Sequence, residues 1–281
     1  MINQNNELDG LQIDSCDGLH IKIIGDGEVI VFLHGGPGSD HSYFLPHVIP
    51  LSERYKLVFY DQRGCGKSGL SINNKYSMND EIEALELIRK KLDVNKINLF
   101  GESWGTMLAL LYATSYPERV NKIFLTAAIG VTAEGFSTFA EELEKKLKSE
   151  DKIKLYELEE KLNRGESKIE EIFDVLDKYY VYSEVSLKRK TNTKVNTKVN
   201  DAIGKDIIEN YDLTKKLENI REIPISIAQG SHDILTPNLI KSLLLDYIPH
   251  ADLDVIEECG HWTVVEKPNE INKLANEFFT K

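Results

Sequence analysis

The chain has 281 residues, 41% hydrophobic and 28% charged, the balance of an ordinary globular protein and a length that fits one large α/β domain, with or without an insertion. A formal net charge of -12 argues against a surface for nucleic acid or an anionic membrane, because a phosphate backbone needs a basic face. Cys16, Cys65 and Cys259 lie far apart and are odd in number, so they support neither a disulfide framework nor a zinc site, and a reducing, cytoplasmic setting is expected.

The N-terminal stretch Met1–Glu7 lacks the basic start and apolar run of a secretion signal. No window approaches the roughly eighteen continuous apolar residues of a transmembrane helix. Leu11–Cys16 and Leu19–Ile24 read as short strands joined by Asp17-Gly18, a pair that tolerates the positive φ of a hairpin turn. Val29–Leu33 is a continuous apolar run that stops at His34-Gly35-Gly36-Pro37-Gly38, as a strand buried on both faces would. Lys56–Tyr60 repeats the pattern and runs into Asp61-Gln62-Arg63-Gly64-Cys65-Gly66-Lys67-Ser68. Ser77 is placed to cap a helix from Met78 to Leu92, with Ile82, Leu85, Ile88 and Leu92 on one face. Ile97–Phe100 is a third buried-strand pattern, and Thr106–Ser115 a helix that closes before Pro117. Strand then helix, repeated, implies a mostly parallel sheet covered on both faces by helices.

After Gly130 the chain becomes charged and helical without buried-strand runs; Glu141–Lys148 and Ile153–Leu162 read as amphipathic helices. Thr193-Lys194-Val195-Asn196 recurs at once as Thr197-Lys198-Val199-Asn200, a repeat too short for a solenoid and read as a polar connector or helix edge. Strand patterns return at Ile223–Gln229 and Leu253–Ile256, and a last helix is expected over Pro268–Phe279. Residues 1–130 and 220–281 therefore form one core, and 131–219 a helical insertion placed where a lid would gate a site at the sheet's C-terminal edge.

Gly101-Glu102-Ser103-Trp104-Gly105 is a G-x-S-x-G turn between a strand and a helix, the context in which a serine hydroxyl projects above a sheet as a nucleophile. Acyl transfer also needs backbone N–H donors for an oxyanion, and these are assigned to Gly36, in the glycine-rich turn, and Trp104, the residue after the serine. His34 is read as a hydrogen-bonding residue of that turn. Three histidines follow Ser103: His232, His250 and His261. His261 lies between the last strand and the last helix, where the base of such a fold sits, whereas His250 reads as a surface residue and His232 as facing away. Asp233, in Gly230-Ser231-His232-Asp233 directly after the strand Ile223–Gln229, is the orienting acid. Asp252 and Asp254 run along the next strand, and Glu257 and Glu258 come too late. The predicted triad is Ser103, Asp233 and His261, which needs no metal or organic cofactor.

Together these blocks resemble the prolyl iminopeptidase family of α/β-hydrolases. The resemblance rests on His34–Gly38, Asp61–Ser68, Gly101–Leu110, Gly230–Asp233 with Thr236-Pro237, and Gly260-His261. It implies an α/β-hydrolase fold with an inserted helical lid and removal of an N-terminal residue, often proline, from short peptides. It also implies recognition of the free amine by acidic residues, several of them in the lid. The insertion holds many glutamates, among them Glu134, Glu141, Glu142, Glu157 and Glu184, and the sequence leaves open which face a pocket. Tyr179, Tyr180 and Tyr182 are read as core packing with a pocket lining as the alternative. The expected partner is a small peptide or other small-molecule substrate. Two rival functions stay open: a carboxylesterase, lactonase or amidase using the same triad, and a binding or sensor protein on a hydrolase fold.

Overall fold

A computed structural model describes residues 11–71, 75–191 and 193–281, the side chains of 11–16 excepted. The stretch Met1–Glu7 and the Cys16 side chain, both used above, lie outside the described set. Among the described residues the strands are β1 (Leu11–Cys16), β2 (Leu19–Ile24), β3 (Glu28–Leu33), β4 (Tyr55–Tyr60), β5 (Ile97–Glu102), β6 (Val120–Thr126), β7 (Ile225–Gly230) and β8 (Asp252–Ile256). They form one sheet in the order β1-β2-β4-β3-β5-β6-β7-β8. β2 is antiparallel to both its neighbours, and every pair from β4 to β8 is parallel.

The helices are α1 (Leu45–Val48), α2 (Met78–Lys91), α3 (Trp104–Ser115), α4 (Ala133–Lys146), α5 (Ser149–Asn163), α6 (Ile169–Tyr180), α7 (Thr197–Asn210), α8 (Pro237–Ile240), α9 (Thr263–Glu266) and α10 (Pro268–Thr280). Side chains alternate across each strand, so β3 sends Val29, Val31 and Leu33 to one face and Ile30 and Phe32 to the other. The first face packs against α2 and α3 through Leu85, Ile88, Leu108 and Tyr112. The second packs through Phe100 and Phe124 against Ile271, Ala275 and Phe279 of α10. Among the described residues no helix is long and apolar enough to cross a membrane.

The predicted Ser77 cap is present, its hydroxyl accepting from the Asp80 N–H at 3.2 Å. Three readings change. β6 carries no strand assignment in the sequence reading, yet it pairs with both β5 and β7. α4 starts at Ala133, well before the expected Glu141. α5 starts at Ser149, before the expected Ile153, which is 63% exposed, and the helix buries Leu155 and Leu158. Between β6 and β7 lie α4 to α7, which contribute no strand to the sheet. α5 and α6 pack on each other through Leu155, Leu158, Ile172 and Val175, a small core of their own.

Candidate active site

β5 ends at Glu102 and α3 begins at Trp104, leaving Ser103 alone on the turn between them. Its backbone is at φ 54°, ψ −122°, a strained conformation for a residue with a Cβ. The turn is this tight because Gly105 lies directly against the Leu33 carbonyl of β3, where any Cβ would collide. The consequence is a serine hydroxyl lifted above the C-terminal edge of the sheet.

His261 Nε2 lies 2.9 Å from Ser103 Oγ, and His261 Nδ1 lies 2.9 Å from Asp233 Oδ1. Asp233 is fully buried; its Oδ2 accepts from Gln229 Nε2 at 2.8 Å and its Oδ1 from the Leu235 N–H at 3.2 Å. A buried carboxylate so held accepts the Nδ1 proton of His261, which leaves Nε2 free to accept from the serine. The structure thus brings together Ser103, Asp233 and His261 as the sequence predicts. His232 faces away, its ring on the Ser231 hydroxyl at 2.9 Å, and His250 is exposed.

Of the two predicted oxyanion donors, Trp104 follows the serine in the chain and Gly36 lines the same cavity as Ser103. Trp104 opens α3, so its N–H has no acceptor within the helix. The glycine-rich turn sits against the elbow: a Cβ on Gly35 would be 3.2 Å from Ser103 Cβ. His34 orders this turn, as expected. Its Nε2 accepts from the Gln62 N–H at 3.1 Å, so its Nδ1 carries the proton and donates to the Gly35 carbonyl at 3.0 Å. That carbonyl shares a peptide plane with the Gly36 N–H, whose direction is thereby fixed. Gln62 ties the turn to the elbow, donating to the His34 carbonyl at 3.0 Å and accepting from Trp104 Nε1 at 2.8 Å. The next loop is organised by Asp61. Burial alone would raise its pKa, but the His41 ring at 2.6 Å overrides this and holds it down to about 2. The Asp61–Ser68 block is therefore scaffolding for the Gly35–Gly38 turn.

Two acidic residues of the site escaped the sequence reading. Glu102 is buried and accepts from Thr263 Oγ1 at 3.1 Å and the Val264 N–H at 3.5 Å, with the Tyr43 hydroxyl against it. Burial raises its pKa to about 7, against the pull of His261 and these donors. Glu266 accepts from the N–H groups of Gly260 at 2.6 Å, Tyr182 at 2.9 Å and Ser183 at 3.1 Å. It joins the histidine turn to the chain after α6. The same junction is made by the Tyr180 carbonyl, which accepts from the His261 N–H at 2.7 Å and the Trp262 N–H at 3.2 Å. On the acid side, Lys146 at the end of α4 donates to the carbonyls of His232 at 3.0 Å and Asp233 at 2.9 Å.

A cavity of about 620 Å³ opens on Ser103 and His261. One face of α6 lines it with Glu170, Phe173, Asp174 and Asp177, at helical spacing. Asp177 is paired with Lys190, whose ammonium also stands 5.6 Å from the Trp262 ring centre. Tyr180 lines the cavity and meets the His261 ring edge-on at 5.6 Å, so for this tyrosine the pocket reading replaces core packing. Tyr182 is half exposed, and Tyr179 is spent on Asp151. None of Glu134, Glu141, Glu142, Glu157 and Glu184 lines the cavity.

A sheet of this order, a strained serine on a strand-to-helix turn and an aspartate–histidine pair beside it define an α/β hydrolase, and a family described as "alpha/beta hydrolase fold" matches residues 28–268. Among curated proteins, the chain is 30% identical over 267 residues to the proline iminopeptidase of Lactobacillus crispatus, covering 89% of each chain. It is 29% identical over 279 residues to that of Lactobacillus helveticus, covering 92% of this chain and 93% of that one. The chain belongs to the proline iminopeptidase family of α/β hydrolases. Among solved structures, an alpha/beta fold family hydrolase from Bacillus anthracis str. Sterne superposes with a TM-score of 0.75 at 25% identity, over 92% of this chain and 95% of that one. A thermophilic esterase from Thermogutta terrifontis shares the fold, with a TM-score of 0.73 at 19% identity over 96% of each chain.

Proposed function

We propose that this protein is a serine aminopeptidase that releases an N-terminal residue, proline among them, from short peptides. The observation that carries the reading is the acidic face of α6 across the cavity from Ser103. With Asp177 occupied by Lys190, Glu170 and Asp174 remain as carboxylates for the substrate's α-ammonium. Phe139, Phe173 and Trp262 supply an apolar wall for a pyrrolidine ring.

In this mechanism Ser103 Oγ attacks the scissile carbonyl while His261 Nε2 takes its proton. The Gly36 and Trp104 N–H groups hold the oxyanion of the tetrahedral intermediate. His261 gives its proton to the leaving amine as the C–N bond breaks, leaving an ester on Ser103. The same imidazole then deprotonates a water, which adds to the ester and frees both the N-terminal residue and the serine. Asp233 keeps the imidazole in the required tautomer and stabilises its charged form.

Hydrolysis of proline β-naphthylamide, its N-acetyl form and p-nitrophenyl butyrate tests the reading, with Ser103→Ala as reference. Cleavage of the free-amine substrate but not of its N-acetyl form is expected, with kcat falling by at least about 10⁴-fold in Ser103→Ala while the fold is kept. Cleavage of the ester with no activity on the free-amine substrate would make the protein an esterase with the same triad. Near-full activity in Ser103→Ala would overturn the mechanism itself.

A further inference from the structure

The tandem tetrapeptide of residues 193–200 takes no part in the triad, yet it is fastened to the turn that carries Gly36. Its first copy precedes α7 and its second begins it, so the four-residue period, about one helical turn, brings Asn196 and Asn200 to the same side. Asn196 caps the helix, its Oδ1 accepting from the Lys198 N–H at 3.1 Å and the Val199 N–H at 3.5 Å. That leaves the rest of the residue free to reach outward. Its N–H donates to the Gly38 carbonyl at 2.9 Å and its Nδ2 to the Gly64 carbonyl at 2.8 Å. Asn200 Nδ2 donates to the Pro37 carbonyl at 2.8 Å. The Lys194 N–H reaches Asp40 Oδ2 at 3.2 Å. The approach is close enough to need a glycine: a Cβ on Gly38, at φ +92°, would stand 3.3 Å from that of Asn200. The fully buried Ile207 and nearly buried Val199 and Ile203 seat α7 in the main core, so the clamp is anchored.

Three peptide planes of the turn are therefore held by different residues. His34 fixes the plane of Gly36, Asn200 the plane after Pro37, and Asn196 the plane after Gly38. We propose that Asn196 and Asn200 are positioning residues for the reaction, the repeat acting as a clasp through which the inserted segment sets the oxyanion donor at Gly36. The proposal rests on the reading of Ser103 as nucleophile and of the Gly36 N–H as oxyanion donor. It assigns the repeat a role that neither the triad nor the pocket supplies.

The test uses Asn200→Asp and Asn196→Asp in the full chain. Each is nearly isosteric and replaces an amide donor by a carboxylate oxygen facing a carbonyl: that of Pro37 for Asn200→Asp, and that of Gly64 for Asn196→Asp, which keeps the cap acceptor of α7 and the backbone bond to Gly38 and so is expected to have the smaller effect. Lys205→Ala, at an exposed position farther along α7, is the control. The readouts are the rate constant for labelling by a fluorophosphonate, kcat and KM on p-nitrophenyl butyrate, and Tm. Because loss of a whole oxyanion donor costs about 10²–10³-fold, a displaced one is expected to slow labelling and kcat by roughly tenfold, with KM within about twofold of wild type. The control should match wild type. A folded Asn200 variant labelled as fast as wild type would overturn the proposal, and so would a raised KM with unchanged kcat, which would make Asn200 a substrate contact. If Asn200→Asp does not fold, Asn200→Ala, which removes the amide donor without setting a carboxylate against the Pro37 carbonyl, decides by the same criteria. Failure of the underlying reading shows separately, as a wild-type protein that is not labelled at Ser103.

Discussion

Glu102→Gln turns a buried carboxyl into a neutral amide of nearly the same shape, and its effect on stability has a defined sign. In the folded protein Glu102 takes up its proton at about 7, against an ordinary 4.5, because burial penalises its charge. Between those values the folded state binds more protons than the unfolded chain, so unfolding free energy falls as pH rises. Each tenfold in proton affinity is worth about 1.4 kcal/mol, so the carboxyl costs the wild type about 3 kcal/mol between pH 4.5 and 7. The glutamine has no such titration. Its Oε1 can keep the Thr263 and Val264 donors, so the variant should equal or trail wild type at pH 5 and overtake it by pH 8. Urea unfolding at constant ionic strength over that range measures the difference directly. A gap between wild type and variant that stays constant to within about 0.5 kcal/mol would refute the argument.

Glu81, fully enclosed by α2 and the Arg63 loop, has its pKa raised to about 8 by burial, so Glu81→Gln should likewise relieve the loss of stability on going from pH 5 to 9, read by the same urea series. Glu170→Gln and Asp174→Asn should raise KM for proline β-naphthylamide, by about tenfold in the double variant, with little change for p-nitrophenyl butyrate; equal changes on both substrates would remove these residues from amine recognition. Glu266→Ala strips the carboxyl acceptor from three backbone N–H groups and should cost about 2–4 kcal/mol, seen as a Tm lowered by roughly 3–7 °C and a reduced kcat in the folded enzyme. An unchanged Tm would mean that these N–H groups find other acceptors.

The triad and the glycine-rich turn were legible because their signals are local. A strand that stops at Gly101 and a helix that starts after it bracket Ser103 within a few residues, and the fold's chain order leaves His261 and Asp233 few competitors. β6 was not legible because polar Asn121 and Lys122 interrupt its apolar pattern and no glycine-rich turn follows it. The start of α4 was hidden by Gly135, Ser137 and Thr138, poor helix formers that tertiary contacts override. The acidic pocket face was the hardest part. Glu170 and Asp174 look like any solvated pair on a charged helix, and only the docking of α6 over Ser103 distinguishes them from Glu141 or Glu157. Glu102 carried one faint signal, a charge in an otherwise buried strand end, and Glu266 none beyond its place beside the histidine turn.

The carbonyl of Tyr180 is a single atom, yet it bears on how such an enzyme diversifies. In the function proposed above, it belongs to the segment that would choose the substrate, and it holds the backbone of the residue that would move the proton. Any residue at position 180 supplies this carbonyl, so the constraint falls on the path of the backbone after α6 and not on the side chain there. New specificities are reached more readily one side chain at a time, along the pocket face of α6. A chimera whose foreign insertion shifts that path is expected to lose turnover whatever side chains it brings to the pocket.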